Sequence, residues 1–226
     1  MPRTSAEGPG LSVAAGIVAP VLINLLFPPR CPGCGTWGVR LCDRCLALFG
    51  LPKRVPGAGP PVFALAAYAG AARELVLAFK ERGRRELAAV FGALVAAALP
   101  RLPGVGPGPW LVPAPSRASA ARARGGSHVL RMARASGFPV APALAFTSGV
   151  RDSVRLDAAS RRANLTGRVR LVPQRLPPPG TSVVLLDDVV TTGATASACV
   201  SVLKAAGIRV PAVLTLTTAR RTHPHG

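Results

Sequence analysis

The sequence predicts an α/β fold built on a parallel sheet, with a small cysteine-rich module ahead of it. Three observations carry that expectation. The run Val183-Val184-Leu185-Leu186 is apolar at every position, as a strand must be when helices cover both faces of its sheet. It ends in two acids, Asp187 and Asp188, and a small hydroxyl-rich turn, Thr191-Thr192-Gly193-Ala194-Thr195, opens a helix over 196–206. Upstream, Cys31-Pro32-Gly33-Cys34 and Cys42-Asp43-Arg44-Cys45 form two CxxC pairs separated by seven residues.

From the N-terminus, residues 1–27 form a leader in which 11–27 is apolar but interrupted by Pro20 and Asn24. That stretch is short for a membrane span, and no small-residue cleavage site precedes Pro28-Pro29-Arg30. It reads as an amphipathic or buried helix, with no membrane span and a cytoplasmic location. Residues 28–50 hold the cysteines. Two CxxC knuckles can set Cys31, Cys34, Cys42 and Cys45 as a tetrahedron of thiolates around a structural zinc ion, with Gly33 and Gly35 allowing the tight turns. Disulfides and CxxC redox chemistry are the alternatives; two paired knuckles on an intracellular-looking α/β chain favour the metal. The fifth cysteine, Cys199, falls among apolar helix positions and reads as core.

Residues 51–61, rich in Pro and Gly and carrying Lys53 and Arg54, read as a linker to a domain over 62–219. There, 62–68 suits a first strand, and 71–80 and 85–99 suit helices, the second with Leu87, Val90, Phe91, Leu94 and Ala98 at three-to-four spacing. Residues 103–109 break the chain before a strand over 110–112, which Pro113-Ala114-Pro115-Ser116 ends. Pro177-Pro178-Pro179-Gly180 leads into the acid-tipped strand. Gly207 is a natural helix stop, 210–216 supplies another strand, and 220–226 is a polar tail.

Composition narrows the partners. Apolar residues make up 49% of the 226, enough for a core, which excludes global disorder. Lys and Arg number 28 against 9 acids, and a net charge of +19 attracts polyanions such as pyrophosphate, nucleotides or nucleic acid. A composition bias spread over many segments explains the same charge. Aromatics are 4%, so a surface for stacking successive bases has little material.

The segment from Val183 to Thr195 resembles the 5-phosphoribosyl-1-pyrophosphate (PRPP) motif of the type I phosphoribosyltransferases. The resemblance implies their parallel-sheet, Rossmann-like fold. It implies that Asp187 and Asp188 hydrogen-bond the ribose 2- and 3-hydroxyls and serve catalysis. It gives PRPP-binding roles to Val189, Thr191, Thr192, Gly193, Ala194 and Thr195, the turn taking the 5-phosphate at a helix N-terminus. The plainer alternative is a strand–turn–helix whose acids only cap the helix.

With the cysteines included, the chain resembles the ComF family of amidophosphoribosyltransferase-like competence proteins, over about residues 22–216. The likeness rests on Leu26-Phe27-Pro28-Pro29-Arg30-Cys31-Pro32-Gly33-Cys34-Gly35, on Leu41 to Cys45, on Tyr68, Arg73, Lys80 and Gly83, and on Val112-Pro113-Ala114-Pro115. Arg122-Ala123-Arg124-Gly125 matches the family's basic RxRG run, so Arg117, Arg122 and Arg124 are candidate pyrophosphate contacts; a solvated basic helix face is the alternative. Gly126-Ser127-His128 departs from the family's usual FNQ, and Asp152-Ser153-Val154 stands where a Gln is common, while Arg161, Arg162 and Asn164 keep the later pattern. His128 reads as a surface histidine. The family resemblance implies a phosphoribosyltransferase displacing pyrophosphate from PRPP with Mg²⁺, or a PRPP or nucleotide sensor without turnover. It also implies a link to DNA uptake, as a basic protein handling single-stranded DNA beside a competence helicase.

Overall fold

The computed structural model describes residues 28–57, 59–116, 126–147 and 168–220. The chain has an α/β fold with a mostly parallel sheet. A cysteine-bearing loop and a short helix α1 (Asp43–Leu46) come first, then strand β1 (Lys53–Val55). Strand β2 (Val62–Ala67), helices α2 (Gly70–Lys80) and α3 (Leu87–Ala98), and strand β3 (Trp110–Pro113) follow. Then come α4 (His128–Ala135), a hairpin of β4 (Leu144–Phe146) and β5 (Val169–Leu171), β6 (Val183–Val190), α5 (Ala194–Ala205) and β7 (Ala212–Thr218).

The main sheet has the order β1-β2-β7-β6-β3, with β2, β7, β6 and β3 parallel and β1 antiparallel at one edge. Two apolar layers sandwich it. One face carries Val184, Leu186, Leu214 and Leu216 against Leu75, Phe79, Phe91, Val95, Val129 and Met132 of α2, α3 and α4. The other carries Val183, Leu185 and Val213 against Ala196, Cys199, Val200 and Leu203 of α5, with Leu144 and Val169 of the hairpin beside them. Consecutive residues of β6 therefore supply opposite cores, which is why the run must be apolar throughout.

The helices form where their apolar spacing meets this sheet. In α2, Ala72, Leu75, Val76 and Phe79 share the buried face, and Gly83 at φ +70° turns the chain afterwards. α5 closes with Gly207 at φ +75° and with Ile208 N–H donating to the Leu203 carbonyl, a helix stop that only a residue tolerating the left-handed region makes cheaply.

Several sequence expectations shift. β1 lies inside the stretch read as a linker. Its Lys53 and Arg54 are exposed and only Val55 is buried, the pattern of a charged edge strand, which carries no apolar signal. The strand expected over 110–112 includes Pro113, tolerated because β3 is the other edge. The strand expected over 210–216 runs instead over Ala212–Thr218, after Pro211, which has no N–H for the ladder. α4, β4 and β5 were not anticipated. The 11–27 helix lies outside the described residues, among which no helix is long and apolar enough to cross a membrane.

Candidate functional site

The site begins where β6 outruns its neighbour. β3 pairs with β6 only as far as Pro113 opposite Leu186, whereas β7 stays paired to the end, Asp187 opposite Thr215 and Val189 opposite Thr217. Both acids thus stand within the strand, on a stretch with a partner on one side only. Their carboxylates serve the backbone there: Asp188 N–H donates to Asp187 Oδ1 at 2.9 Å and Val189 N–H to Asp188 Oδ1 at 2.8 Å.

Strand alternation then separates them. Asp187 faces the α5 side, where it lines a cleft of about 130 Å³ with Val189, Thr191, Thr192, Gly193, Ala194, Thr195 and Thr215. Gly193 at φ +81° makes the sharp entry into α5, whose N-terminus has no side-chain cap apart from Thr192 Oγ1 accepting from Ala194 N–H at 3.3 Å. Thr191 and Thr192 are exposed. A volume of 130 Å³ is below the roughly 300–1,000 Å³ of whole-ligand pockets, so the cleft lined by the described residues suits one phosphate-sized group of a larger ligand.

Asp188 projects to the opposite face. Lys80 Nζ and His128 Nε2 each lie 2.8 Å from its Oδ2, and the Asp188 and His128 side chains are 5% and 6% exposed. His128 is therefore buried, not on the surface. Ser127 caps α4, its Oγ accepting from Leu130 N–H, and that start turns the next side chain inward against Phe79, ring centroids 5.8 Å apart. The expected acid pair is split, one member on the cleft and the other in an ion-pair cluster.

The electrostatics divide accordingly. Burial, then the neighbouring Asp188 charge, push the Asp187 carboxyl well above its ordinary range. For Asp188 burial works against the charge, but the His128 hydrogen bond and the Lys80 ammonium outweigh it and hold the carboxyl below the ordinary range. Burial likewise opposes the Lys80 charge, and Asp188 overcomes it, so the ammonium is held more tightly than usual. Cys199 is fully buried behind Asp187, and burial and then that acid push its thiol up, in keeping with a core residue. Arg117, Arg122 and Arg124 lie outside the described residues.

The second centre is the cysteine cluster. The Sγ atoms of Cys31, Cys34, Cys42 and Cys45 all lie within 4.8 Å of one another, and the Cys34–Cys42 pair is at 3.5 Å. Zn–S bonds of about 2.3 Å put tetrahedral sulfurs about 3.8 Å apart, so the cluster fits zinc. Gly33 is needed there: a Cβ would sit 2.9 Å from Cys45 Sγ and 3.1 Å from Leu75. The Thr36 hydroxyl, 3.0 Å from Cys34 Sγ, and the Thr36 backbone draw that thiol down to about 6, while burial pushes Cys45 up. Cys31 and Cys45 are buried in the same core as Leu75 and Phe91, so the cluster is built into the domain.

No family model matches the chain, and no curated protein matches it. Solved structures do resemble parts of it. They include the allosteric regulatory enzyme of purine biosynthesis, at 18% identity over 61% of this chain and 25% of that one, TM-score 0.35. A hypoxanthine phosphoribosyltransferase from Staphylococcus aureus aligns at 14% identity over 65% of this chain and 70% of that one, TM-score 0.33. The hypoxanthine phosphoribosyl transferase of Trypanosoma cruzi aligns at 15% over 65% and 71%, TM-score 0.34. The chain spans a quarter of the first enzyme's length. Overlays at these scores carry no weight for what the chain does; its chemistry has to come from its own strand, turn and cleft.

His128 and Thr215 are the site residues that sequence reasoning missed. A signal existed for each. Ser127 ahead of Val129, Met132 and Ala133 marks a capped helix whose first residue adjoins an apolar stripe. Thr215 and Thr217 alternate with apolar residues in a strand that is buried along its whole length.

Proposed function

We propose that the β6–α5 cleft binds a phosphoribosyl ligand of the PRPP class and that the domain transfers or senses the phosphoribosyl group. The observation that carries this reading is the sharing of one small cleft by the Asp187 carboxyl group, four threonines and the N-terminus of α5 at the end of a parallel strand. Ligands of open α/β sheets sit at that end. The turn and the α5 N–H groups hold the 5-phosphate, with the helix dipole adding to the attraction. Asp187 stands beside that anchor to accept from a ribose hydroxyl.

For transfer, pyrophosphate leaves C1 of the ribose as an acceptor nucleophile arrives, through a ribosyl centre that gathers positive charge. A preorganised carboxylate held close by favours that charge. The arginines at 117, 122 and 124 are proposed to receive the departing pyrophosphate in bidentate fashion. A carboxylate and hydroxyls are hard oxygen donors that suit Mg²⁺, and the ion would be held by the ligand's own oxygens facing Asp187 and the threonines. When bound it would supply neutralisation of leaving-group charge. The four cysteines are proposed to hold a structural zinc ion.

Titration calorimetry with PRPP and Mg²⁺ tests the reading. One binding site per chain is expected in the wild type, with at least a tenfold loss in Asp187→Asn. Absence of heat in the wild type overturns it.

A second reading takes the basic charge as a single-stranded nucleic-acid surface. Trp37 on the cysteine module is 56% exposed, and the Arg30 guanidinium lies 3.1 Å from its ring centroid, leaving a π-face with a cation behind it. Stacking of this kind is worth about 1–3 kcal/mol per base, so Trp37→Ala should weaken oligothymidylate binding at least about fivefold. Binding should also fall steeply with salt. Equal affinity of the two proteins would remove Trp37 from any such surface.

A further inference from the structure

Three elements converge on one carboxylate oxygen. Lys80 is the last residue of α2, His128 the first of α4, and Asp188 stands near the end of β6; Lys80 Nζ and His128 Nε2 both reach Asp188 Oδ2 at 2.8 Å. Asp188 Oδ1 accepts from Val189 N–H, and the Asp188 carbonyl accepts from Thr217 Oγ1 at 3.3 Å. An ionised carboxylate has about four acceptor positions, and three are already filled here. Only Lys80 keeps appreciable contact with solvent, its side chain 34% exposed. His128 Nδ1 is buried and has no partner among the described residues, so the ring's one hydrogen bond among them is the one to Asp188.

Turning Asp188 toward the cleft would carry it through the sheet and leave a buried imidazole and a half-buried ammonium without their acceptor. Removing one partner of a buried ion pair is far more costly than its net contribution suggests. Asp187, one residue earlier, makes no ion pair among the described residues and lines the cleft.

We infer that Asp188 is the hub of a buried clamp joining α2, α4 and β6, that Asp187 alone holds the ribose hydroxyls, and that His128 is a positioning residue for the strand end that presents it. The ligand half of this inference rests on the phosphoribosyl reading of the cleft; the clamp half does not. Asp187 and Asp188 then fail in opposite ways when altered: the first costs ligand, the second costs the fold around the ligand. His128 works through donation from Nε2, so a side chain that keeps a donor there preserves the strand end and an apolar one does not.

The experiment combines melting, PRPP–Mg²⁺ calorimetry and ¹⁵N NMR of the histidine ring on the full chain. Asp187→Asn should leave the melting midpoint at or above the wild-type value and lose at least tenfold in PRPP affinity. Asp188→Asn should lower the midpoint by about 5 °C or more and, where folded, bind PRPP within about threefold of wild type. If that variant does not fold, Lys80→Met, at the solvent-facing corner, carries the test: a lowered midpoint with near-normal affinity. His128→Leu should likewise lower the midpoint with near-normal affinity where folded, and His128→Gln should restore most of the midpoint. In the wild type the His128 ring should carry its proton on Nε2, with a shift that changes in Asp188→Asn. A bare Nε2, an unchanged midpoint in both Asp188→Asn and Lys80→Met, or equal loss of PRPP by folded Asp187→Asn and Asp188→Asn overturns the inference. A wild type that binds no PRPP removes the cleft reading and the ligand half with it, while midpoints and ring protonation still decide the clamp.

Discussion

Asp187 and Asp188 are chemically identical neighbours whose environments drive them apart, and a pH series reads that difference directly. Asp188 has its folded-state pKa depressed by His128 and Lys80 against the cost of burial. Its stabilising contribution is therefore complete above the unfolded value of about 3.9 and is lost as pH falls below it. Asp187 is raised, by burial first and then by Asp188, so its ionised form opposes folding at neutral pH and that cost is relieved in acid. Urea unfolding between pH 3 and 7 should show Asp188→Asn weaker than wild type at pH 7, with the gap closing toward pH 3. Asp187→Asn should be at least as stable as wild type at pH 7. A constant gap across the series would mean that Asp188 carries no linked proton.

At the scale of elements, the position of His128 depends on how closely α4 packs on α3. Gly92 lies in the middle of α3, and a Cβ there would meet the Ala135 carbonyl carbon at 2.5 Å and its oxygen at 2.7 Å. In an exposed helix, Gly→Ala gains up to about 1 kcal/mol. Here the sign reverses, because the added atom collides with backbone that must move away from β6. Gly92→Ala should destabilise by about 1–3 kcal/mol in chemical denaturation. An unchanged or raised denaturation midpoint would show that the two helices separate without cost. The turn before α5 is the other element that decides the site, since Gly193 holds a left-handed backbone that places the threonines around the cleft.

For the molecule as a whole, the cysteine module and the sheet domain share one core. Phe49, just beyond Cys45, packs on Phe91 at 5.5 Å between centroids, and Gly50 N–H bonds the Leu65 carbonyl of β2. Metal removal should therefore be felt beyond the knuckles. Elemental analysis should give about one zinc per chain, and a strong chelator or Cys45→Ser should lower the melting midpoint of the entire domain. Protein that is free of metal yet melts at the same temperature would reject the zinc assignment.

Much of this was legible in the chain itself. The apolar run before Asp187 announced a doubly covered parallel strand, the Thr191–Thr195 turn announced a helix start, and two CxxC pairs announced a four-sulfur cluster, because each depends on spacing within a short segment. β1 escaped because a charged edge strand has no periodic apolar signal, and α4 because its cap lay beyond a run of arginines and glycines. What tertiary structure alone decided was the division of labour between the two acids. Sequence places Asp187 and Asp188 side by side; a strand sends adjacent side chains to opposite faces, and only packing brought Lys80 and His128 to one of those faces and the phosphate-sized cleft to the other.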